Sequence, residues 1–221
     1  MRKGLTEVVF ILDRSGSMRG LEADTIGGFN SMVEKQRKEE GEALVSVVLF
    51  DDQVEIPYDR VPVDKVETMT DSQYYVRGCT ALLDAIGGAV HHIAKLHKNL
   101  PEDEVPEKTL FIITTDGMEN ASRKYDAAKV KKMVEKQQKK HDWEFLFLGA
   151  NIDAIQVAGG FGIKADRAFN YHADSAGTKL NFRVASAAMS AVRKARSKEE
   201  ADCMIMGCCE EIREDYESRK A

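Results

Sequence analysis

Apolar positions fall into short unbroken runs that alternate with longer stretches in which they recur every third or fourth residue. Extended candidates lie at residues 7–12, 44–50, 54–58, 109–114 and 144–148 with a shorter one at 168–171, and several are continuous apolar runs, as strands covered on both faces should be. Helical spacing marks 21–40, 81–98, 126–141, 152–158 and 176–196. The second of these has the clearest stripe, Leu82, Leu83, Ile86, Val90, Ile93 and Leu96, which makes one helix face a core surface. Strand and helix patterns alternating up to residue 172 predict a doubly wound α/β sheet with helices on both faces.

Only Asp51-Asp52-Gln53 separates the second run from the third, too little for a crossover helix. The two must form an antiparallel hairpin, which places the third strand at an edge of an otherwise parallel sheet. Pro57 and Pro62 suit an edge, where ladder donors are dispensable. Residues 99–108, with Pro101, Pro106 and several acids, read as an exposed loop. Residues 197–221 are highly charged apart from Cys203-Met204-Ile205-Met206, and predict a terminal helix that docks through that patch or frays. The expected organisation is a sheet domain over 1–172 and a helical extension over 173–221 packing on or beside it.

Composition narrows the classes of function. With 221 residues, 43% of them hydrophobic, the chain can bury a full core. A net charge of -5 argues against nucleic acid as a partner, because phosphate-backbone affinity comes from many Lys and Arg contacts. The first residues lack the apolar core of a signal peptide, and no segment approaches the about 20 apolar residues that span a bilayer. A cytoplasmic protein without membrane contact is expected. Cys79, Cys203, Cys208 and Cys209 match neither a disulfide framework nor a zinc site, and read as reduced thiols packed as small hydrophobes.

Candidate chemistry sits where buried runs end. The first stops abruptly at Asp13-Arg14-Ser15-Gly16-Ser17, one carboxylate and two hydroxyls that can converge if the loop curls around Gly16. Gly78-Cys79-Thr80 precedes the striped helix, and Thr114-Thr115-Asp116-Gly117 ends another buried strand in a carboxylate. In a doubly wound sheet the ligand crevice lies outside the carboxyl ends of the strands. If these ends are neighbours, Asp13, Ser15, Ser17, Thr80 and Asp116 surround one cavity. Two carboxylates and three hydroxyls form a hard oxygen set suited to Mg²⁺, with Mn²⁺ or Ca²⁺ as substitutes. Plainer roles are open to the same residues: Asp and Ser are favoured in strand-to-helix turns, and Thr80 is a natural N-cap.

Asp13-Arg14-Ser15-Gly16-Ser17, Gly78-Cys79-Thr80-Ala81-Leu82-Leu83-Asp84-Ala85 and Thr115-Asp116-Gly117 together resemble the von Willebrand factor A (VWA) domain with its metal-ion-dependent adhesion site (MIDAS). The resemblance covers about residues 5–172, and three spaced motifs in order are far more specific than one. It implies a six-stranded sheet in the order 3-2-1-4-5-6 with strand 3 antiparallel. It also implies that Ser15, Ser17 and Thr80 contact the metal, with Asp13 and Asp116 binding directly or through water. One coordination position is then left for an acidic side chain of a partner protein. The later segment Asp174-Ser175-Ala176-Gly177-Thr178 resembles stand-alone bacterial or phage members. Intracellular relatives by resemblance act within assemblies, some beside AAA+ ATPases.

The expected function is a non-enzymatic, Mg²⁺-dependent protein-interaction module. One rival is a phosphatase-like hydrolase with Asp13 as nucleophile. That chemistry needs a second acid two positions on, where Ser15 stands. Another is a structural subunit that has the site and no ligand switching. Asp84 reads as serving its helix, and Asn120 and Ser122 as capping the following one, with no role at the site assigned to Glu119. His91, His92 and His97 read as solvated surface histidines, the Lys-rich stretch 124–140 as a solvated face, and Gly159-Gly160-Phe161-Gly162 as a turn.

Overall fold

The run from Val8 to Leu12 feeds two cores at once: Val8, Phe10 and Leu12 enter one, Val9 and Ile11 the other, as the two-residue period of a pleated strand requires. The same alternation recurs at Leu110/Ile112 against Phe111/Ile113, and at Leu146/Leu148 against Phe145/Phe147. In the computed structural model, which describes residues 1–220, these segments are three neighbours in a six-stranded sheet. Its strands are β1 (Arg2–Asp13), β2 (Glu42–Phe50), β3 (Val54–Pro62), β4 (Pro106–Thr115), β5 (Glu144–Gly149) and β6 (Ala168–Asn170), in the order 3-2-1-4-5-6. All pairs are parallel except β2 with β3, the hairpin that the three-residue connection dictates.

Six helices cover the sheet: α1 (Glu22–Gln36), α2 (Leu82–Asn99), α3 (Ala127–His141), α4 (Ala154–Gly160), α5 (Ser175–Lys194) and α6 (Lys198–Ser218). Phe29, Met32 and Val33 of α1, Phe182, Val184, Ala185, Ala188 and Met189 of α5, and Ile205, Cys209 and Ile212 of α6 line one core. The stripe of α2, with Val130 and Val134 of α3 and Ala154 and Ala158 of α4, lines the other.

Several local expectations give way to tertiary context. The segment 99–108 is not loop throughout, because Arg2 pairs with Pro106 and starts β4 there. Of the patch Cys203–Met206, only Ile205 is buried, while Met204 and Met206 are 36% and 47% exposed. The docking face of α6 is Ala201, Ile205, Cys209 and Ile212, one position every three or four residues. Cys209 alone of the four free thiols is buried, and Cys79 and Cys203 are exposed. His97 is not a solvated residue: its Nε2 lies 2.5 Å from the fully buried Glu7 carboxylate, and its ring meets Trp143 edge-on. No helix among the described residues is long and apolar enough to cross a membrane.

The start of α5 is pressed onto the end of β6. A Cβ at Gly177 would stand 2.0 Å from the His172 carbonyl oxygen, an unmovable backbone neighbour. Gly177→Ala is therefore expected to lower stability by about 1–3 kcal/mol, the usual cost of overpacking, read as a lower melting temperature in calorimetry.

Candidate metal site

β1 and β4 lie side by side and run in the same direction, so their carboxyl ends deliver Asp13 and Asp116 to one rim of the sheet. Directly after Asp13 the chain turns: the Ser15 N–H donates to Asp13 Oδ1 at 2.7 Å, and Gly16–Met18 form one 3-10 turn. That turn sets the Ser15 and Ser17 hydroxyls 3.0 Å apart. The Thr80 hydroxyl donates to Ser15 Oγ at 3.0 Å. It therefore does not cap α2, whose N-cap position is Ala81 without a side-chain bond.

Main-chain bonds stitch the three loops together. The Gly16 N–H donates to the Gly78 carbonyl, and the Asn120 and Ala121 N–H groups donate to the Thr80 carbonyl. Gly78 has φ +65°, and a Cβ there would come within 2.2 Å of an Asp52 oxygen, so glycine permits both the turn and the approach. A Cβ on Gly117 would meet Ser17 Oγ at 3.1 Å and Thr80 Oγ1 at 3.3 Å. The peptide after Asp116 thus closes over the hydroxyls of the other two loops. Asp13, Ser15, Thr80 and Asp116 are all at most 4% exposed, whereas Ser17 faces solvent.

Burial dominates the electrostatics. It pushes the Asp13 carboxyl above its usual range, against the hydrogen bonds from Ser15 and Thr115 and with a small further push from Asp116. Asp116 is raised for the same reason, opposed by Ser17. Its Oδ1 is buried and has no hydrogen-bond partner. Two desolvated carboxylates, one with an orphaned oxygen, facing three hydroxyls fit a hard divalent cation. Among the described residues no three His, Cys, Asp or Glu side chains converge as a metal-binding group, so a cation here would depend on hydroxyl oxygen.

Residues beyond the predicted five hold the loops. Thr115 Oγ1 donates to Asp13 Oδ2 at 2.6 Å, and the Tyr74 hydroxyl donates to the Asp13 carbonyl at 2.5 Å. Arg14, fully buried, pairs through Nε with the equally buried Asp51 at 2.8 Å. Its Nη2 lies 2.7 Å from Glu55 but is not aligned as a hydrogen-bond donor. Arg77 reaches the same Asp51 oxygen at 2.7 Å. Thr115 was visible in the sequence as the neighbour of Asp116; Tyr74 and Asp51 carry no local signal.

The loop after Asp116 serves α2 rather than the next helix. Glu119 accepts from the Leu83 N–H, Ser122 from Asp84 and Asn120 from Thr80, at 2.8, 3.0 and 2.9 Å, while α3 takes Asp126 as its cap. Asp84 returns the exchange by accepting from the Arg123, Lys124 and Tyr125 N–H groups. Desolvation, the largest single influence, pushes its carboxyl up, yet those three bonds together hold it below the usual range. A lowered native value means that the stabilisation is present above the ordinary carboxylate range and is lost as pH falls through the lowered one. Asp84→Asn is accordingly expected to flatten the acid limb of the stability-pH curve, measured by urea denaturation across a pH series.

No protein-family model matches the chain, and no curated protein matches its sequence. Among solved structures, proximal thread matrix protein 1 from the mussel byssus superimposes with a TM-score of 0.57 at 14% identity over 86% of this chain. A structure of the same protein with a zinc-occupied MIDAS motif gives 0.51 at 16% identity over 92%. The ArnB paralog VWA2 from Sulfolobus acidocaldarius superimposes more loosely, with a TM-score of 0.48 at 18% identity, covering 81% of this chain and 44% of that one. This chain spans 46% of the length of the mussel protein. At such identities the likeness establishes the fold alone, the six-stranded doubly wound α/β sheet shared with the mussel protein.

Proposed function

We propose that this chain is a divalent-cation-dependent protein-interaction module, with Mg²⁺ as its cation and a carboxylate of a partner protein as its ligand. The observation that carries the reading is the convergence of three loops that places Ser15 in contact with both Ser17 and Thr80, beside Asp13 and Asp116. Asp13, Ser15, Ser17, Thr80 and Asp116 would hold the cation, which supplies an electrophilic centre that a further carboxylate can complete. The chain's own part is preorganisation: Thr115 and the Ser15 N–H orient Asp13, and the burial of all but Ser17 confines access to one side. The mussel protein's zinc-occupied motif supports the reading.

Hydrolysis through Asp13 is disfavoured on geometry. Each carboxylate oxygen of Asp13 already accepts a hydrogen bond, one from Ser15 and one from Thr115, and the residue is 1% exposed. The position two residues on, where that chemistry needs a second acid, holds the neutral hydroxyl of Ser15. We place the module in an intracellular assembly, where a companion ATPase would be one source of the acidic ligand.

The test is capture of partners from source lysate on the immobilised chain in Mg²⁺, followed by EDTA elution. Wild type is expected to release bound protein only on EDTA, Asp116→Ala to capture none of it, and both to leave para-nitrophenyl phosphate unhydrolysed. Capture that persists in EDTA, or turnover of the phosphate ester lost in Asp13→Ala, would overturn the reading.

A further inference from the structure

Buried polar atoms without partners are concentrated in a few residues. Of the eight such side-chain atoms among the described residues, five belong to Thr25, Tyr171, Thr178 and Asn181, none of which is more than 2% exposed. Asn181 contributes both ends of its amide. An amide with neither donor nor acceptor satisfied is rare in a folded core, because each unpaired group carries its full desolvation cost.

These four residues come from α1, from α5, which packs on it, and from the segment after β6. Thr25 lies in α1, Tyr171 directly follows β6, and Thr178 and Asn181 lie one turn apart on α5. The close seating of Gly177 on His172 brings that face of α5 against the end of β6. Asn181 stands near enough to the Tyr171 hydroxyl to favour its anion, while the charges of Asp116 and Asp13 push the other way behind a dominant burial effect. Thr25 bears in the same way on Tyr74, whose hydroxyl holds the Asp13 carbonyl. The cluster thus lies within reach of the Asp13 and Asp116 charges, and none of its five polar atoms has a well-aligned protein partner.

We propose that Thr25, Tyr171, Thr178 and Asn181 line a small internal hydration site, whose ordered water joins α5 to the Asp116 side of the cation loops and makes Tyr171 and Asn181 positioning residues for the cation. Water is the ligand class that fits: the lining offers hydroxyls, which donate and accept, and an amide, which does both at its two ends. A buried water needs about two to four polar partners, and these residues supply them. The positioning role rests on the cation reading above; the hydration site does not. Second-layer hydrogen bonds orient primary ligands, and losing one typically weakens metal binding about 10–100-fold.

The experiment has two arms on the full chain. Oxygen-17 magnetic relaxation dispersion on EDTA-treated protein is expected to show long-lived internal water that is diminished in Asn181→Leu and Thr178→Val. Mn²⁺ titration followed by electron paramagnetic resonance is expected to give about 10-fold or greater weakening in Tyr171→Phe and Asn181→Leu, with melting in EDTA reported alongside. Tyr171→Phe removes one oxygen from an otherwise preserved ring and guards against loss of fold in the amide variant. An unchanged dispersion between wild type and variants overturns the hydration site. Intact Mn²⁺ affinity in folded variants overturns the positioning role alone. Absence of Mn²⁺ binding in the wild type overturns the cation reading and the positioning role together.

Discussion

Mg²⁺ is expected to raise the melting temperature of the wild-type chain and to leave Asp116→Ala unmoved. A ligand that binds only the native state stabilises it by about 2.7 kcal/mol at 100 times its dissociation constant. For a domain of this size each kcal/mol is worth about 2–4 °C, so the shift at saturation is roughly 5–10 °C. Asp116 supplies a buried oxygen that nothing in the protein satisfies, and without a cation its desolvated charge is a burden rather than a support. The Asp116→Ala chain should therefore melt no lower than wild type in EDTA while losing the gain from Mg²⁺. Differential scanning calorimetry with Mg²⁺, with EDTA, and with Mg²⁺ plus acetate separates these effects. The acetate arm allows for a site that binds tightly only when a carboxylate completes it.

The second large effect concerns the support of the loop. Asp51→Ala leaves the Arg14 guanidinium fully buried, with a single remaining carboxylate, Glu55, which is 46% exposed. Removing one partner of a buried pair costs about 3–5 kcal/mol because the other charge is stranded, which corresponds to roughly 6–20 °C in melting temperature. Arg14 stands between Asp13 and Ser15, and the Arg77 N–H donates to the Arg14 carbonyl. The same change should therefore loosen the cation loop and weaken Mn²⁺ binding. Replacing both charges, as Arg14→Met with Asp51→Leu, is expected to recover much of the stability, since an apolar pair of similar volume often costs little. A double variant as unstable as Asp51→Ala would show that the network does more than neutralise a buried charge.

What the sequence revealed and what it hid divide along a physical line. The hairpin was legible because three residues leave no room for a helix, and the central strands because an unbroken apolar run in each, Val8–Leu12, Leu110–Ile113 and Phe145–Leu148, fills two cores. The candidate cation motifs were legible because three spaced segments in order carry oxygen side chains at strand ends or a helix start. Arg14 with Asp51, Tyr74 with the Asp13 carbonyl, and Glu7 with His97 were not, since each joins residues 37 to 90 positions apart and no local pattern encodes them. Asn120 and Ser122 show the same limit from the other side. Their chemistry as capping residues was evident, yet the helix they cap is the preceding one, because the loop from Asp116 folds back across the start of α2. Likewise Ile205 docks while its neighbours Met204 and Met206 do not, since helical geometry, rather than the apolar run, decides which side chains face the sheet.

If three distant loops build one cation site, anomalous diffraction from crystals grown with Mn²⁺ will locate it. A single strong manganese peak is expected among the oxygens of Ser15, Ser17 and Thr80, with Asp13 and Asp116 alongside. No peak at those loops, or Thr80 or Asp116 turned away from the Asp13 turn, would contradict it.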